Sequence, residues 1–236
     1  GRSQRGCRCA DGSDPPRATS LSVPPPTLSQ VAESPSMLYP PDRLYGLDIE
    51  TDTRINGLDA SVAAIVAVAL ATSELCEVFR GPEASLLTEL NESLRHLPPG
   101  VLVTWNGSSF DLPFIERRAA ICNVPLDLHC VDHALPRPPS NPELPRRHVR
   151  ARWGHHRHLD GLRLYRSDVG RALPVSCGLK PMSRLVGMQP LQLDAERLHE
   201  YTSAEIDAYV ASDASMTRAL VVNRWPACAG FIDRLP

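Results

Sequence analysis

Two acidic residues, Asp48 and Glu50, lie two positions apart in an otherwise apolar stretch that runs from Leu44 to Thr51. If this stretch is a strand, both carboxylates point to the same face of the sheet, because side chains alternate with a period of two. Neighbouring carboxylates repel each other, and a divalent cation with a preference for oxygen ligands relieves that repulsion. The pair is therefore a candidate Mg²⁺ or Mn²⁺ site, with a strand that has one wet face as the alternative.

A third carboxylate, Asp111, follows a second apolar run. The run from Val101 predicts a strand, the residues after Asn106 predict a turn, and a helix should continue through Ile115. Asp111 then lies in the first turn of that helix, where an aspartate also has the ordinary role of complementing the helix dipole. That role does not explain why an asparagine and an aromatic residue, Phe110, precede it at this spacing.

A fourth carboxylate, Asp213, lies on a predicted helix near the carboxyl end of the sequence. Thr202 and Glu205 have the spacing of a capping box, so the helix should begin there. Tyr209 and Asp213 are four residues apart and share a helix face with apolar residues. A phenol and a carboxylate on an apolar face need polar partners, and a simple Tyr–Asp hydrogen bond is the alternative to a functional site.

In this order the Asp-x-Glu, Asn-x3-Phe-Asp and Tyr-x3-Asp patterns resemble the three motifs of the DnaQ-like, or DEDD, 3′–5′ exonucleases. The wording is most similar to the proofreading exonuclease domain of family B DNA polymerases, over about residues 44–225. The resemblance implies a ribonuclease-H-like α/β fold, a mixed sheet with helices on both faces. It also implies the tyrosine subclass, because Ala208 stands where the histidine subclass has its histidine.

The resemblance further implies a catalytic centre of five residues and two divalent cations, Mg²⁺ or Mn²⁺, spaced as in two-metal nucleases. The metal ligands would be Asp48, Glu50, Asp111 and Asp213, and Tyr209 would orient the attacking water, because a phenol with a pKa near 10 is a weak base at neutral pH. Asp160 resembles an acid that supports the ligands without binding metal.

Several other side chains are candidates to hold nucleic acid. Phe110 and Trp105 could stack the terminal base, with core packing as the alternative, whereas core packing is favoured for Phe114. Asn106 could bind a sugar or phosphate, or only close the turn. The segment 136–157 is rich in proline and arginine, and it is either a flexible arm that tracks phosphates or a solvated insertion; Arg146, Arg147 and Arg150 are its candidate phosphate ligands.

Composition sets limits on the class of protein. The chain has 236 residues, which is long enough for one domain with a sizeable core. Its net charge of -2 predicts no overall positive electrostatic field that would attract nucleic acid. No apolar run is long enough to span a membrane. Seven irregularly spaced cysteines favour a reducing, cytoplasmic compartment. A zinc site built from Cys122, His129, Cys130 and His133 is disfavoured, because the spacing matches no standard zinc motif.

The sequence divides into a tail and a domain. Residues 1–41 are rich in Pro, Ser and Arg and are expected to be disordered, and Met37 is a candidate natural start. Residues 42–236 are expected to form the exonuclease domain. Two strands are expected within residues 60–80, a helix over 82–97, a strand over 158–164 and a helix over 178–186.

These inferences predict a stand-alone 3′–5′ exonuclease that acts on the 3′ end of single-stranded nucleic acid, with DNA favoured, and releases nucleoside 5′-monophosphates. One alternative is a catalytically silent domain that binds nucleic acid or a protein partner on the same fold. A weaker alternative is an enzyme that trims RNA, because 2′-hydroxyl contacts leave no signature here. A polymerase or repair protein stays open as a partner.

Overall fold

The computed structural model describes residues 39–133 and 147–231. A seven-stranded mixed sheet forms the centre of the fold, with strand order β3-β2-β1-β4-β7-β6-β5. The strands are β1 Leu44–Thr51, β2 Ile65–Ala71, β3 Cys76–Phe79, β4 Val101–Thr104, β5 Leu128–Asp132, β6 Val149–Trp153 and β7 His156–Asp160. β1, β4 and β7 are parallel neighbours, and β2, β3, β5 and β6 add antiparallel pairs at the two sides. The predicted mixed α/β fold is confirmed.

The helices predicted over 82–97, from Asp111, over 178–186 and from Thr202 are present, whereas two short helices after β7 were not predicted. The helices are α1 Glu83–His96, α2 Asp111–Cys122, α3 Gly161–Ser167, α4 Val169–Ala172, α5 Leu179–Leu185 and α6 Ser203–Cys228. The predicted capping box at the start of α6 is present, because Thr202 and Glu205 exchange side-chain and backbone hydrogen bonds of 2.7–3.3 Å. None of the helices in the described ranges is long and apolar enough to cross a membrane.

The two faces of β1 pack against different helices. Tyr45, Leu47 and Ile49 belong to a core cluster that also contains leucines of α1 and α2. Leu44 instead packs with Trp225 of α6 on the opposite face. Because side chains alternate along a strand, Asp48 and Glu50 share the face that α6 covers. The layers therefore place both acids between the sheet and the helix that carries Asp213.

Part of the segment 136–157, for which the sequence left a flexible arm and a solvated insertion as alternatives, belongs to the sheet. Residues 147–157 contain β6 and the start of β7, and Val149, Ala151 and Trp153 alternate with arginines so that one face of β6 packs inward. β5 pairs with β6 from Leu128↔Trp153 to Asp132↔Val149, forming a hairpin. The other part of the proposed arm, 136–146, lies outside the described residues. Near the carboxyl end of β7, the predicted strand over 158–164 stops at Asp160 and helix α3 begins at Gly161.

The predicted tail lies outside the described residues up to position 38. Tyr39 and Pro41, which were assigned to that tail, contact α6: Trp225 Nε1–H donates to the Tyr39 carbonyl at 2.6 Å, and Arg218 donates to the Pro41 carbonyl at 2.9 Å. These bonds anchor the chain immediately before β1.

Candidate active site

A close approach of α6 to β1 brings distant acids together. A Cβ atom added to Gly46 would lie 2.2 Å from the Ala214 carbonyl oxygen, so only glycine, which has no Cβ, fits here without a clash. On the neighbouring strand Ala69 pairs with Asp48 and Ala67 pairs with Glu50, so small side chains cover this face. Small residues therefore let the helix lie directly over the two acids of β1.

The acids of β1 extend beyond the point where β1 and β4 pair. That parallel pairing ends at Gly46↔Val103, which leaves Asp48 and Glu50 at the carboxyl end of the strand. Burial raises the pKa of Asp48 well above its usual range, and the charges of Glu50, Asp111 and Asp213 raise it further. Burial, followed by the charges of Asp213 and Asp111, raises the pKa of Glu50 to about 8. The electrostatic interactions connect all four acids.

Asp111 reaches this group from the first turn of α2, as the sequence predicted. Its residue is 4% exposed, and the preceding turn contains Asn106 in the left-handed region, with φ 72°. Burial raises the pKa of Asp111 to about 7, while backbone N–H groups of Asp111 and Ile49 oppose that rise. The interaction with Ile49 links α2 to the middle of β1.

Asp213 and Tyr209 lie one turn apart on the buried face of α6, where they meet Lys180 of α5. The Lys180 Nζ atom forms a salt bridge with Asp213 Oδ1 and lies 4.3 Å from the centroid of the Tyr209 ring. Burial, together with the negative charges of Asp213, Glu50 and Asp48, raises the pKa of Tyr209 above its usual value. Tyr209 is therefore a neutral hydrogen-bond donor at physiological pH.

Lys180 is the residue of this site that the sequence reasoning missed. It is the chain's single lysine, against 24 arginines, and its charge lowers the pKa values of Asp48, Glu50 and Asp213. The sequence feature that distinguished Lys180 was that it is the single lysine in an arginine-rich chain. Composition alone could not connect it to Asp213, which lies 33 positions away.

Asp160 lies at the end of β7 and organises the turn before α2. Its two carboxylate oxygens accept the backbone N–H groups of Asn106 and Ser108, each at 3.1 Å, and it caps α3 by accepting Arg163 N–H at 3.4 Å. Its charge also raises the pKa of Asp111. Through these bonds Asp160 positions the turn that carries Asp111.

The aromatic candidates differ in their exposure. Trp105 is 9% exposed, donates its indole N–H to the Cys177 carbonyl at 3.2 Å and packs against Tyr165. A ring held in this way has no free face for a base, so the structure supports the core alternative for Trp105. Phe114 is also core, as favoured, whereas Phe110 is half-buried and contacts it at 5.3 Å between ring centroids. Phe110 stays a candidate for base stacking.

The candidate phosphate ligands are also not equivalent. Arg146 lies outside the described residues, and Arg150 is exposed on β6. Arg147 donates to Glu116 at 2.6 Å and to Asp132 at 2.7 Å, which joins α2 to the β5–β6 hairpin. These acids are counter-charges that the sequence did not reveal, and Arg147 would have to exchange or share them to bind a phosphate.

The donor chemistry of the acid cluster fits divalent cations of the Mg²⁺ or Mn²⁺ type. Four carboxylates offer only oxygen ligands, and burial, with their mutual repulsion, raises their pKa values despite the charge of Lys180, so bound cations would favour their ionised forms. Within residues 39–133 and 147–231, no group of three or more His, Cys, Asp or Glu side chains is arranged closely enough to hold a metal as it stands. Lys180 occupies one carboxylate oxygen of Asp213, so the side chains would have to adjust around bound cations.

Comparisons with known proteins agree with this fold. Residues 72–134, which include Asp111, match the family described as DNA polymerase family B, exonuclease domain. A DNA polymerase from Archaeoglobus fulgidus is 22% identical over 102 residues, which are 43% of this chain and 13% of that polymerase. The family B DNA polymerase from the hyperthermophilic archaeon Pyrobaculum calidifontis superposes with a TM-score of 0.59 and 20% identity, over 79% of this chain and 25% of that one.

The chain thus spans a small part of the polymerases that it matches. Similarity in sequence covers the centre of the domain, and similarity in structure covers most of the chain. The fold is therefore similar to that of a family B DNA polymerase, and the sequence similarity falls on the exonuclease domain of that family.

Proposed function

We propose that this domain is a metal-dependent 3′–5′ exonuclease that hydrolyses the terminal phosphodiester of single-stranded nucleic acid, with DNA favoured. Water attacks phosphorus, the bond to the 3′ oxygen breaks, and that oxygen takes a proton. The products are a nucleoside 5′-monophosphate and a strand that is one nucleotide shorter. The observation that carries the proposal is the electrostatic interaction of Asp48 with Glu50, Asp111 and Asp213, which come from three separate segments.

The cost of the cluster is the main support for a catalytic role. Buried carboxylates that raise one another's pKa values destabilise a fold, so a protein without use for them would be more stable with apolar or amide side chains. Asp48, Glu50, Asp111 and Asp213 would hold two divalent cations. The cations would supply the positive charge that stabilises the attacking water and the leaving 3′ oxygen.

The chain's other residues then have defined tasks. Tyr209, whose phenol stays protonated, donates a hydrogen bond that orients the water or a phosphate oxygen. Lys180 holds Asp213 and contributes a positive charge beside the reacting phosphate. Asp160 keeps the turn with Asn106 and Phe110 in place, where Asn106 contacts the sugar or phosphate and Phe110 stacks on the terminal base.

The silent-domain alternative makes a different prediction from the catalytic one. A binding domain without catalysis would hold single strands without shortening them. We therefore suggest incubation of 5′-labelled single-stranded DNA and RNA side by side with Mg²⁺ or Mn²⁺. Shortening of the label-bearing strand one nucleotide at a time, with release of 5′-monophosphates, supports the proposal. Binding without shortening of either substrate refutes it, and shortening of RNA alone replaces it with the RNA-trimming alternative.

A further inference from the structure

A buried polar cluster lies where the chain leaves β5 and enters β6, beside the turn that leads to Asp111. Backbone N–H of His133 donates to the His148 carbonyl at 2.6 Å, and the His148 Nδ1 atom shares a hydrogen bond with Ser109 Oγ. His148 is 6% exposed, and its Nε2 atom is buried without a hydrogen-bond partner among the described residues. An imidazole nitrogen in this state calls for a ligand, because leaving it unpaired costs free energy.

Arg163 of α3 supplies a second unsatisfied group in the same neighbourhood. Its NH1 atom is buried and also lacks a partner within the described chain. Arg163 and His148 adjoin the same turn, because the backbone N–H groups of Arg163 and Ser108 both donate to Asp160 and the next residue, Ser109, contacts His148. Burial, and then the charge of Arg163, lowers the pKa values of His148 and His158, and the charge of Arg163 acts in the same direction on His133 after burial and the charge of Arg150. Burial in turn lowers the pKa of Arg163 itself. The half-buried guanidinium lies among neutral imidazoles, and it forms no salt bridge with the residues that the structure describes.

The acids of this region are already engaged. Asp132 and Glu116 both accept from Arg147. Asp160, whose charge stabilises Arg163, uses its oxygens for three backbone N–H groups. Arg150, which is exposed on β6, forms no salt bridge with the described residues, and its charge acts on both His133 and Arg163. The result is a local excess of donors and positive charge.

We propose that His133, His148, Arg150 and Arg163, here called the basic pocket, bind a backbone phosphate of the nucleic-acid strand on the 5′ side of the cleaved linkage. A phosphate accepts several charge-assisted hydrogen bonds, so it would satisfy His148 Nε2 and Arg163 NH1 together. Arg150 is exposed and His133 is half-buried, whereas His148 is buried. Ser109, which contacts His148, lies two residues before Asp111, so the pocket adjoins the acid cluster.

The proposal rests on the proposed function, but its test does not depend on cleavage. Fluorescence anisotropy in EDTA measures the affinity for a set of short single-stranded DNAs, each with one uncharged methylphosphonate linkage at a different position. In the wild type, one position should lower affinity about 10- to 100-fold, the fold-change that corresponds to a lost hydrogen bond with a charged group. Arg163→Met should lower the affinity for unmodified DNA by a similar factor and remove the sensitivity at that position.

A matched control and a stability measurement separate binding from folding. Arg117→Met removes an exposed arginine on α2, outside the pocket. In this variant a methylphosphonate at the sensitive linkage should lower the affinity for DNA as much as it does in the wild type. Because the half-buried Arg163 forms no salt bridge with the described residues, and Asp160 keeps its three backbone N–H partners, Arg163→Met should melt at the same temperature as the wild type or higher. An arginine with a purely structural role would show the reverse, a lower Tm with unchanged affinity. His148→Gln is a second variant, and it should reduce the sensitivity of binding at the same linkage position.

Three outcomes would overturn the proposal. One is equal sensitivity of wild type and Arg163→Met at every linkage, which would leave the pocket as a structural polar cluster. In another, inorganic phosphate displaces DNA from the wild type but not from Arg163→Met, and no linkage position loses its sensitivity in the variant. That result would assign the pocket to free phosphate. The third is a failure to bind single strands in EDTA, which would refute the basic pocket. The proposed function is refuted separately, by the absence of cleavage in Mg²⁺ or Mn²⁺.

Discussion

Gly46→Ala tests whether the approach of α6 to β1 builds the active site. The substitution removes no ligand and no charge. It places a Cβ atom 2.2 Å from the Ala214 carbonyl oxygen and 2.9 Å from Arg218 Cβ. Real Cβ atoms essentially never lie within 3.0 Å of another atom, so the helix or the strand must move by at least about 0.8 Å. That movement separates Asp213 and Tyr209 from Asp48 and Glu50.

The expected magnitudes follow from the displacement. Overpacking of a close contact costs on the order of 1–3 kcal/mol of unfolding free energy. A misplacement of about 1 Å between catalytic groups costs roughly 10²-fold in rate. We therefore expect Gly46→Ala to lower kcat about 100-fold in Mg²⁺ or Mn²⁺ at a temperature where circular dichroism shows a folded protein. Urea unfolding should give the loss of stability.

Gly230→Ala is the matched control, because nothing lies within 4 Å of the Cβ atom that it adds. It should leave both the rate and the unfolding free energy within a small margin of the wild type. If Gly46→Ala behaved like this control, the close contact between β1 and α6 would not determine the geometry of the acid cluster, and the reasoning from that contact would be refuted.

Three further outcomes are expected. Tyr209→Phe should lower kcat by no more than about 10²–10⁴-fold, the range for positioning or proton transfer, and a loss as large as that of a metal ligand would contradict the role of a positioning donor. Burial lowers the pKa of His158 from 6.5 to about 3, so its contribution to stability is present above pH 6.5 and is lost as the pH falls toward 3. Urea unfolding from pH 7 to 4 should show a slope of about 1.4 kcal/mol per pH unit from this group, which His158→Gln should remove; an unchanged slope would contradict the assignment. Replacement of Arg146, Arg147 and Arg150 by alanine should weaken binding of any nucleic-acid sequence and leave kcat nearly unchanged. The slope of log affinity against log salt should become shallower by about 0.7 per lost contact, and an unaltered slope would exclude these residues from the interface.

The sequence predicted the parts of the fold that depend on local signals. The capping box of Thr202 and Glu205 marks a helix start, and the turn after Asn106 places Asp111 at the first residue of α2. Both signals act over a few residues, so the local sequence determines them. The alternation of Val149, Ala151 and Trp153 was equally local evidence for β6, but the many arginines and prolines around it led to the alternatives of a flexible arm or a solvated insertion.

Long-range packing explains what the sequence could not predict. Lys180 meets Asp213 only because α5 packs beside α6, and no spacing in the sequence encodes that contact. Trp105 precedes the turn in the position of a base-stacking residue, yet its ring turns inward to Cys177 and Tyr165. Arg147 appeared unpaired because its partners, Glu116 and Asp132, come from α2 and β5.

The most direct test of the central claim compares Asp48→Ala with Asp52→Ala in metal-dependent cleavage of 5′-labelled single-stranded DNA. Asp52 follows β1 directly, but it pairs with Arg54 at the surface, and its charge is not among those that shift the pKa values of the four acids. Our account predicts that Asp48→Ala abolishes cleavage while its metal-free Tm is no lower than that of the wild type, because a buried, repelled carboxylate has been removed. Asp52→Ala should cleave at the wild-type rate. Equal cleavage by wild type and Asp48→Ala would contradict the account, since the nuclease centre would then lie elsewhere.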